Sequence, residues 1–385
     1  MSAGAAASVW CLGGEDSHLR IAFCRRLADL GFDVTAVGTG DAAPFVRSGV
    51  RYLRYRLDRF LDPLGDARSL DELAGLIGRH RPDIVHGFDT KPSLLAPLAT
   101  ARAGVGRAVR TINGMGYVFS SGSPLALALR PVYRVLQRRV APRTAMTVFQ
   151  NAPDLAYFER HRLVPPARSR LVPGSGIDVD GFLARLPGPA RTERLRRELG
   201  LGGRRVVTTV SRLTRQKGIP TLLAAAGRLA PRHPDVAFLL VGPRDGEGPF
   251  AVPRAALDRH RPYVRALGVR DDVPALLALT DVFVLPTEYR EGVPRALLEA
   301  GAAGCPVVAT RMPGCTDVVR HGWNGLLVEP GDAAGLADAI ECLLLARPER
   351  RRVMGARGRA LVRERFPLDG VARAYADIYE EVLRT

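Results

Sequence analysis

At 385 residues the chain exceeds what one ordinary hydrophobic core organises and fits two domains, each large enough to bury its own. No run approaches the ~18 apolar residues of a bilayer-crossing helix, and Met1 to Trp10 lacks the basic and apolar regions of a signal peptide, so the expected setting is the cytoplasm, with peripheral attachment to the inner face of the membrane left open. A net charge of +17, from 56 cations against 39 acids, points to a polyanionic partner: nucleic acid, an anionic membrane or a phosphorylated substrate.

Only Lys91 and Lys217 among the 56 cations are lysine, and asparagine occurs three times, a bias typical of a GC-rich genome. Where lysine survives such a bias, the position is one that wants a compact ammonium, for which the planar guanidinium is no substitute. The five cysteines are odd in number and scattered, never spaced C-x-x-C, and the histidines complete no metal-ligand pattern, so reduced core thiols and no metal centre are expected.

Ser8 to Leu12 reads as a strand ending in Gly13-Gly14, followed by a helix over Ile21 to Leu30. A glycine pair after a first strand lets backbone approach a ligand, or makes a plain tight turn. Val34 to Val37 and Ile84 to His86 read as further strands with a helix over Leu70 to Arg79 between them, which gives α/β alternation and a parallel sheet. Ligand-binding loops then follow strand ends, at Gly13-Gly14 and at His86 to Lys91. From Thr90 through Pro153 there is no Asp or Glu but nine cations, a positive field that includes Lys91 and the glycine-rich turn of Asn113 and Gly114. Within it, Leu125 to Val140 reads as a helix with Arg130, Arg134 and Arg138 on one face and Leu129, Val132, Val135, Leu136 and Val140 as its apolar side. This reads either as a helix lying on an anionic membrane through its arginines or as an ordinary surface helix, with Pro131 starting or breaking it. Met146 to Phe149 is the next strand, and the Gly/Pro punctuation from Leu171 to Pro189 marks an interdomain linker.

The second half opens with a strand, Arg205 to Val210, whose following loop carries Arg212 and Lys217 ahead of a helix, a position suited to gripping a diphosphate. Gly242 ends the next strand, but the glycines after it are not spaced G-x-G-x-x-G, which argues against a dinucleotide cofactor. Strands at Val282 to Leu285 and Val307 to Ala309 flank a helix over Pro294 to Ala303, with Pro294 in its first turn. Glu299 lies inside that helix beside Leu297 and Leu298, where a carboxylate loses hydration unless something donates to it. Sugar hydroxyls would do so, and so would a buried salt bridge. Glu291 precedes Gly292, Val293 and Pro294, whose backbone N–H groups and helix start offer themselves to an anion.

Read together as E-G-V-P-R-A-L-L-E, A-G-A-A-G-C-P-V-V-A-T and P-G-C-T-D-V-V, this region resembles the E-x7-E signature of the retaining, nucleotide-sugar-dependent glycosyltransferases of family four. The resemblance implies the GT-B fold: two Rossmann-like domains with parallel sheets facing across a cleft, here residues 1–176 and 177–369, with a terminal helix over 370–385 packing back on the first. It further implies that Glu291 contacts the donor sugar, Glu299 the ribose, and that Arg212 and Lys217 hold the diphosphate leaving group; His86 joins these as a catalytic candidate. Gly13, Gly14, Gly242, Gly292, Val293, Pro294 and Leu297 complete the expected donor set, and Lys91, Asn113 and Gly114 the acceptor set. For Lys91 and His86, a solvated loop lysine and a satisfied core histidine are the alternatives. One departure is Asp317 where many relatives carry Glu.

D-I-V-H-G-F-D-T-K-P, T-I-N-G-M-G-Y-V-F, V-F-Q-N and V-P-G-S-G-I-D are similar, more loosely, to the subgroup that extends polyprenyl-diphosphate-linked sugars. The implied activity is transfer of a hexosyl or N-acetylhexosaminyl unit from a nucleotide sugar, with UDP the expected carrier, to a lipid-linked or other glycan acceptor in cell-surface polysaccharide assembly. Protein cations would stand in for a divalent metal, and no cofactor is expected. A soluble small-molecule acceptor, a GT-B nucleotide-sugar epimerase and a nucleic-acid-binding protein are the rival readings. The last has no recognisable binding module in the sequence.

Overall fold

The computed structural model describes residues 6–60, 62–120 and 122–385, without the side chain of Tyr117. The first five residues, part of the stretch read above for a signal peptide, lie outside them. The chain forms two compact units, one running through Gly176 and taken up again by Leu368–Thr385, the other Ile177–Pro367.

Unit 1 holds β1 (Ser8–Leu12), β2 (Asp33–Gly38), β3 (Arg51–Arg54), β4 (Ile84–Gly87), β5 (Arg107–Ile112), β6 (Met146–Phe149) and β7 (Ser169–Leu171). They make one parallel sheet in the order β3-β2-β1-β4-β5-β6-β7. Unit 2 holds β8 (Arg205–Val210), β9 (Val236–Val241), β10 (Val264–Gly268), β11 (Val282–Leu285), β12 (Val307–Thr310) and β13 (Gly325–Val328), parallel in the order β10-β9-β8-β11-β12-β13. Helices cover both faces of each sheet, so most strands are continuous apolar runs whose alternate residues enter different cores. Val9 and Cys11 pack with the 368–384 helix, whereas Trp10 and Leu12 pack with Leu73, Ile77 and Ala96. In both units the strand order reverses beside the first strand, which places the loops after β1 and β4, and those after β8 and β11, around a crevice at the sheet's carboxyl edge.

The helix Leu368–Arg384 repeats apolar residues at three- and four-residue steps and lays Val371, Ala372, Tyr375, Ile378, Tyr379 and Val382 into the core of unit 1. The helix Pro124–Val140 runs through Pro131 without ending there. Pro131 is exposed, so water can take the carbonyl that a proline leaves without an N–H partner. Pro294 is the N-cap of the helix Arg295–Ala303 and not part of its first turn, because its ψ of 120° is extended. Among the described residues, no helix is long and apolar enough to cross a membrane.

The arginines of the 124–140 helix are tied to neighbouring elements, with Arg130 and Arg134 half-buried and Arg138 exposed. Arg130 donates from Nε to the Val118 carbonyl at 3.0 Å with its guanidinium over the Phe119 ring, Arg134 donates to the Tyr157 hydroxyl at 2.7 Å over that ring, and Arg138 reaches the His161 carbonyl at 3.1 Å. For Arg130 and Arg134 the ring beneath the guanidinium adds a cation–π attraction to the hydrogen bond.

Candidate functional site

In unit 2 the loops after β8 and β11 are knitted by backbone. Glu288 N donates to the Gln216 carbonyl at 2.9 Å, and the Thr310 hydroxyl to the Thr287 carbonyl at 2.5 Å. Gly218, at φ +68°, allows the first loop to close on the second: a Cβ there would sit against the Pro286 carbonyl. Gly314, at φ +83°, does the same for the loop after β12, against the Gly292 carbonyl. The Asp317 carboxylate accepts from the Gly314 N–H at 3.1 Å, so the shorter acid keeps this loop capped.

Within that frame Lys217 and Glu291 meet. Lys217 Nζ lies 2.5 Å from Glu291 Oε2, the Thr287 hydroxyl donates to Glu291 Oε1 at 2.7 Å, and both charged side chains are mostly buried. The ammonium also stands 6.0 Å from the centre of the Tyr289 ring. Arg212, on the same loop as Lys217, pairs with the buried Glu247 at 3.1 Å. Glu299 is held by Arg295 one helical turn away, at 2.9 Å, so the salt bridge satisfies it. Gly292, Val293 and Pro294 lead into the Arg295–Ala303 helix, which has no side-chain cap, and Leu297 is fully buried beneath it. A cavity of 410 Å³ opens beside the carboxyl ends of β9 and β10, bordered by Leu213, Gly242, Pro243, Arg244, Gly268 and Val269. Near Lys217 and Glu291, Cys315 is buried, and burial pushes its thiol well above the ordinary range, which leaves it an inert core group.

Unit 1 gathers a different set around Asp89. Its carboxylate accepts from Arg20 Nη2 at 2.5 Å, from Asn113 Nδ2 at 3.0 Å and from the Gly14 N–H at 3.3 Å. Gly13 is fixed beside it, donating to the Val37 carbonyl and accepting from the Tyr55 hydroxyl at 3.0 Å. Gly114 follows Asn113 at φ +118°. Arg20 Nη1 and Asn113 Oδ1 are buried atoms without a hydrogen-bond partner among the described residues, so donor and acceptor capacity remains at this strand-end loop.

Two expected site residues are placed elsewhere. His86 is fully buried, with Nδ1 2.6 Å from the Tyr379 hydroxyl and Nε2 2.7 Å from the Thr111 hydroxyl, and Thr111 in turn meets Tyr375 at 3.0 Å. Burial holds its pKa well below the ordinary value, so it is a neutral core residue that links the terminal helix to the sheet. Lys91 points its ammonium at the Asp58 carbonyl (2.9 Å), the Phe60 carbonyl (2.5 Å) and Asp66 (2.6 Å), which fills its three donor positions and clasps the loop after β3. Arg20, Asp89 and Glu247 were not singled out from the sequence. Asp89 could have been, as the last acid before the acid-free stretch at a strand end, and Glu247 as the acid inside the glycine loop set aside with the dinucleotide reading.

Two parallel α/β units, with paired charges on the switch-point loops of the second, are the architecture of a GT-B protein. The profile of a glycosyl transferase 4-like domain matches residues 22–175, and that of the glycosyl transferases group 1 matches residues 204–346. The GDP-mannose-dependent alpha-(1-6)-phosphatidylinositol monomannoside mannosyltransferase of Mycolicibacterium smegmatis is 32% identical over 81% of this chain and 79% of its own length. The chain therefore belongs to this glycosyltransferase family. The UDP-Gal:alpha-D-GlcNAc-diphosphoundecaprenol alpha-1,3-galactosyltransferase of Escherichia coli is 28% identical over 80% of this chain and 79% of its own. Among solved structures, Anabaena Alr3699/HepE in complex with UDP and glucose superposes with a TM-score of 0.78 at 18% identity, over 97% of this chain and 99% of that one, which speaks for the fold.

Proposed function

We propose that the protein is a retaining glycosyltransferase that moves a hexosyl or N-acetylhexosaminyl unit from a nucleotide sugar to a lipid-diphosphate-linked or other glycan acceptor. The observation that carries this reading is the loop after β8, where Arg212 and Lys217 precede a helix and each is held by a carboxylate, Glu247 and Glu291. Their charges are fixed before any ligand arrives, so a diphosphate meets preorganised cations with little reorganisation. As the bond to the sugar breaks, negative charge grows on the departing diphosphate, and the two cations stabilise that charge most in the transition state. This role needs no bound metal. Glu291 would exchange part of its bond to Lys217 for a sugar hydroxyl, and Glu299 would turn from Arg295 to the ribose. The nucleobase fits the cavity at the carboxyl ends of β9 and β10. Acceptor hydroxyls would meet the Asp89, Asn113 and Gly14 cluster of unit 1.

Similarity to both a GDP-mannose-dependent and a UDP-Gal-dependent enzyme makes the donor a matter for direct test. A panel of UDP- and GDP-linked sugars is scored by thermal shift and then by release of nucleotide with lipid-linked glycans as acceptors, with the anomeric configuration of the product read by NMR. A folded-state ligand at 100 times its Kd adds about 2.7 kcal/mol of apparent stability, which is readily seen. Failure of every nucleotide sugar to stabilise the protein would refute the reading, and inversion at the anomeric carbon would refute retention.

A further inference from the structure

The 124–140 helix shows three sectors. Ala126, Tyr133, Gln137 and Val140 are buried in unit 1. Arg130, Arg134 and Arg138 lie along a flank and are bonded to neighbouring elements, as described. The third sector, Leu125, Ala128, Val132, Val135 and Leu136, recurs at three- and four-residue steps and faces solvent, its four large residues between 41% and 63% exposed. This stripe runs for about 16 Å of helix. Such a run of outward leucine and valine on a water-soluble fold needs an occupant.

We propose that this apolar sector, and not the arginine row, docks on the surface of a lipid bilayer carrying anionic headgroups. Charge favours that occupant. Arg139 lies in line with the stripe at its carboxyl-terminal end, Arg143 follows one turn on, and both are exposed. No carboxylate occurs between Thr90 and Pro153 to repel an anionic headgroup. The arrangement lets valine and leucine enter the acyl boundary while arginine stems reach back to the headgroups. Area disfavours a second copy of the chain: the four side chains offer on the order of 300 Å², short of the ~800 Å² per partner that stable protein interfaces bury. The inference stands on this helix face and does not depend on the donor or acceptor proposed above.

The test is co-sedimentation of the full chain with phosphatidylcholine vesicles and with vesicles containing phosphatidylglycerol. Its variants are Leu125→Gln/Val132→Gln/Leu136→Gln and Arg130→Gln/Arg134→Gln. Thermal unfolding confirms that each is folded, and a Val132→Trp variant reports insertion through a blue-shifted emission on anionic vesicles. The native chain should partition at least tenfold better onto the anionic vesicles, the apolar triple variant should lose that tenfold, and the arginine variant should keep it if folded. Absence of binding by the native chain, retention of binding by the apolar variant, or no emission shift from Trp at position 132 would overturn the proposal. So would a native dimer in light scattering that the apolar variant abolishes, which would assign the face to a second copy. Nucleotide-sugar binding measured on the same samples reads the glycosyltransferase assignment separately.

Discussion

Replacing Lys217 with Met separates the structural from the chemical weight of the Lys217–Glu291 pair. Both side chains are mostly buried, with 11% and 16% of their surface exposed. Removing one partner of a fully buried pair costs about 3–5 kcal/mol, because the remaining charge has lost water and gained nothing. Here the residual exposure and the hydroxyl of Thr287, which still donates to Glu291, reduce that to about 2–3 kcal/mol. Glu291→Gln costs less, about 1 kcal/mol, since the amide oxygen still accepts from the ammonium and no charge is stranded without hydrogen bonds. The double variant Lys217→Met/Glu291→Gln removes both charges and should recover at least half of the loss seen with Lys217→Met. Urea unfolding of the four proteins, with equal m-values, gives the coupling directly. If the two single losses simply add in the double variant, the pair is not an interacting unit and its preorganising role fails. Activity follows a different rule: both variants that lack Lys217 should be impaired, the double variant included, because restoring stability does not restore the cation at the diphosphate.

Further expectations come from neighbouring geometry. Glu299→Gln should weaken binding of free nucleoside diphosphate in calorimetry while Glu291→Gln leaves it nearly intact and slows transfer; equal losses of nucleotide affinity would defeat the ribose and sugar roles. Gly314→Ala places a Cβ against the Gly292 carbonyl at φ +83° and should destabilise by more than 1 kcal/mol, with the Michaelis constant for donor rising as the Glu291 loop shifts; an unchanged melting temperature would refute it. His86 is neutral in the fold and its pKa there lies well below the ordinary value, so its contribution is complete above the unfolded pKa of about 6.5 and is lost as pH falls from there toward the folded pKa, at up to ~1.4 kcal/mol per pH unit. His86→Phe should be less stable at pH 8 by about 1–3 kcal/mol, from the hydroxyls of Tyr379 and Thr111 left unmatched, yet show a shallower acid limb in a stability-against-pH series. An acid limb as steep as the native one would rule out His86 as its source.

What the sequence made legible follows from parallel-sheet physics. Strands such as Ser8–Leu12 and Val282–Leu285 are buried on both faces, so they stand out as apolar runs between glycine- or proline-bearing loops. The edge strand Arg51–Arg54 carries arginine at both ends and is half solvated, which hides it from that signal. The loops bearing Arg212, Lys217 and Glu291 were readable because a strand end, a glycine and an uncommon charge coincide within a few residues. The partners of His86 and Lys91 were not, because they come from distant sequence: Tyr379 is 293 positions from His86, and Asp58 is 33 from Lys91. Periodicity placed the arginines of the 124–140 helix on one flank, but aromatic residues of other helices decided which way that flank turned.

The return of residues 368–384 to unit 1 also sets the order in which the protein can be made. The helix supplies eight side chains to the cluster under β1, among them Tyr375 and Tyr379, and they are translated only after all of unit 2. Between Gly176 and Leu368 the ribosome needs roughly 10 to 40 s at 5–20 residues per second, during which the face of the seven-stranded sheet that the terminal helix shares with Phe23, Cys24 and Leu27 is only partly covered. Unit 2, second in sequence, is thus the first that can finish folding. The nascent amino-terminal half waits for it with part of one apolar cluster uncovered, the stage at which it is most exposed to aggregation.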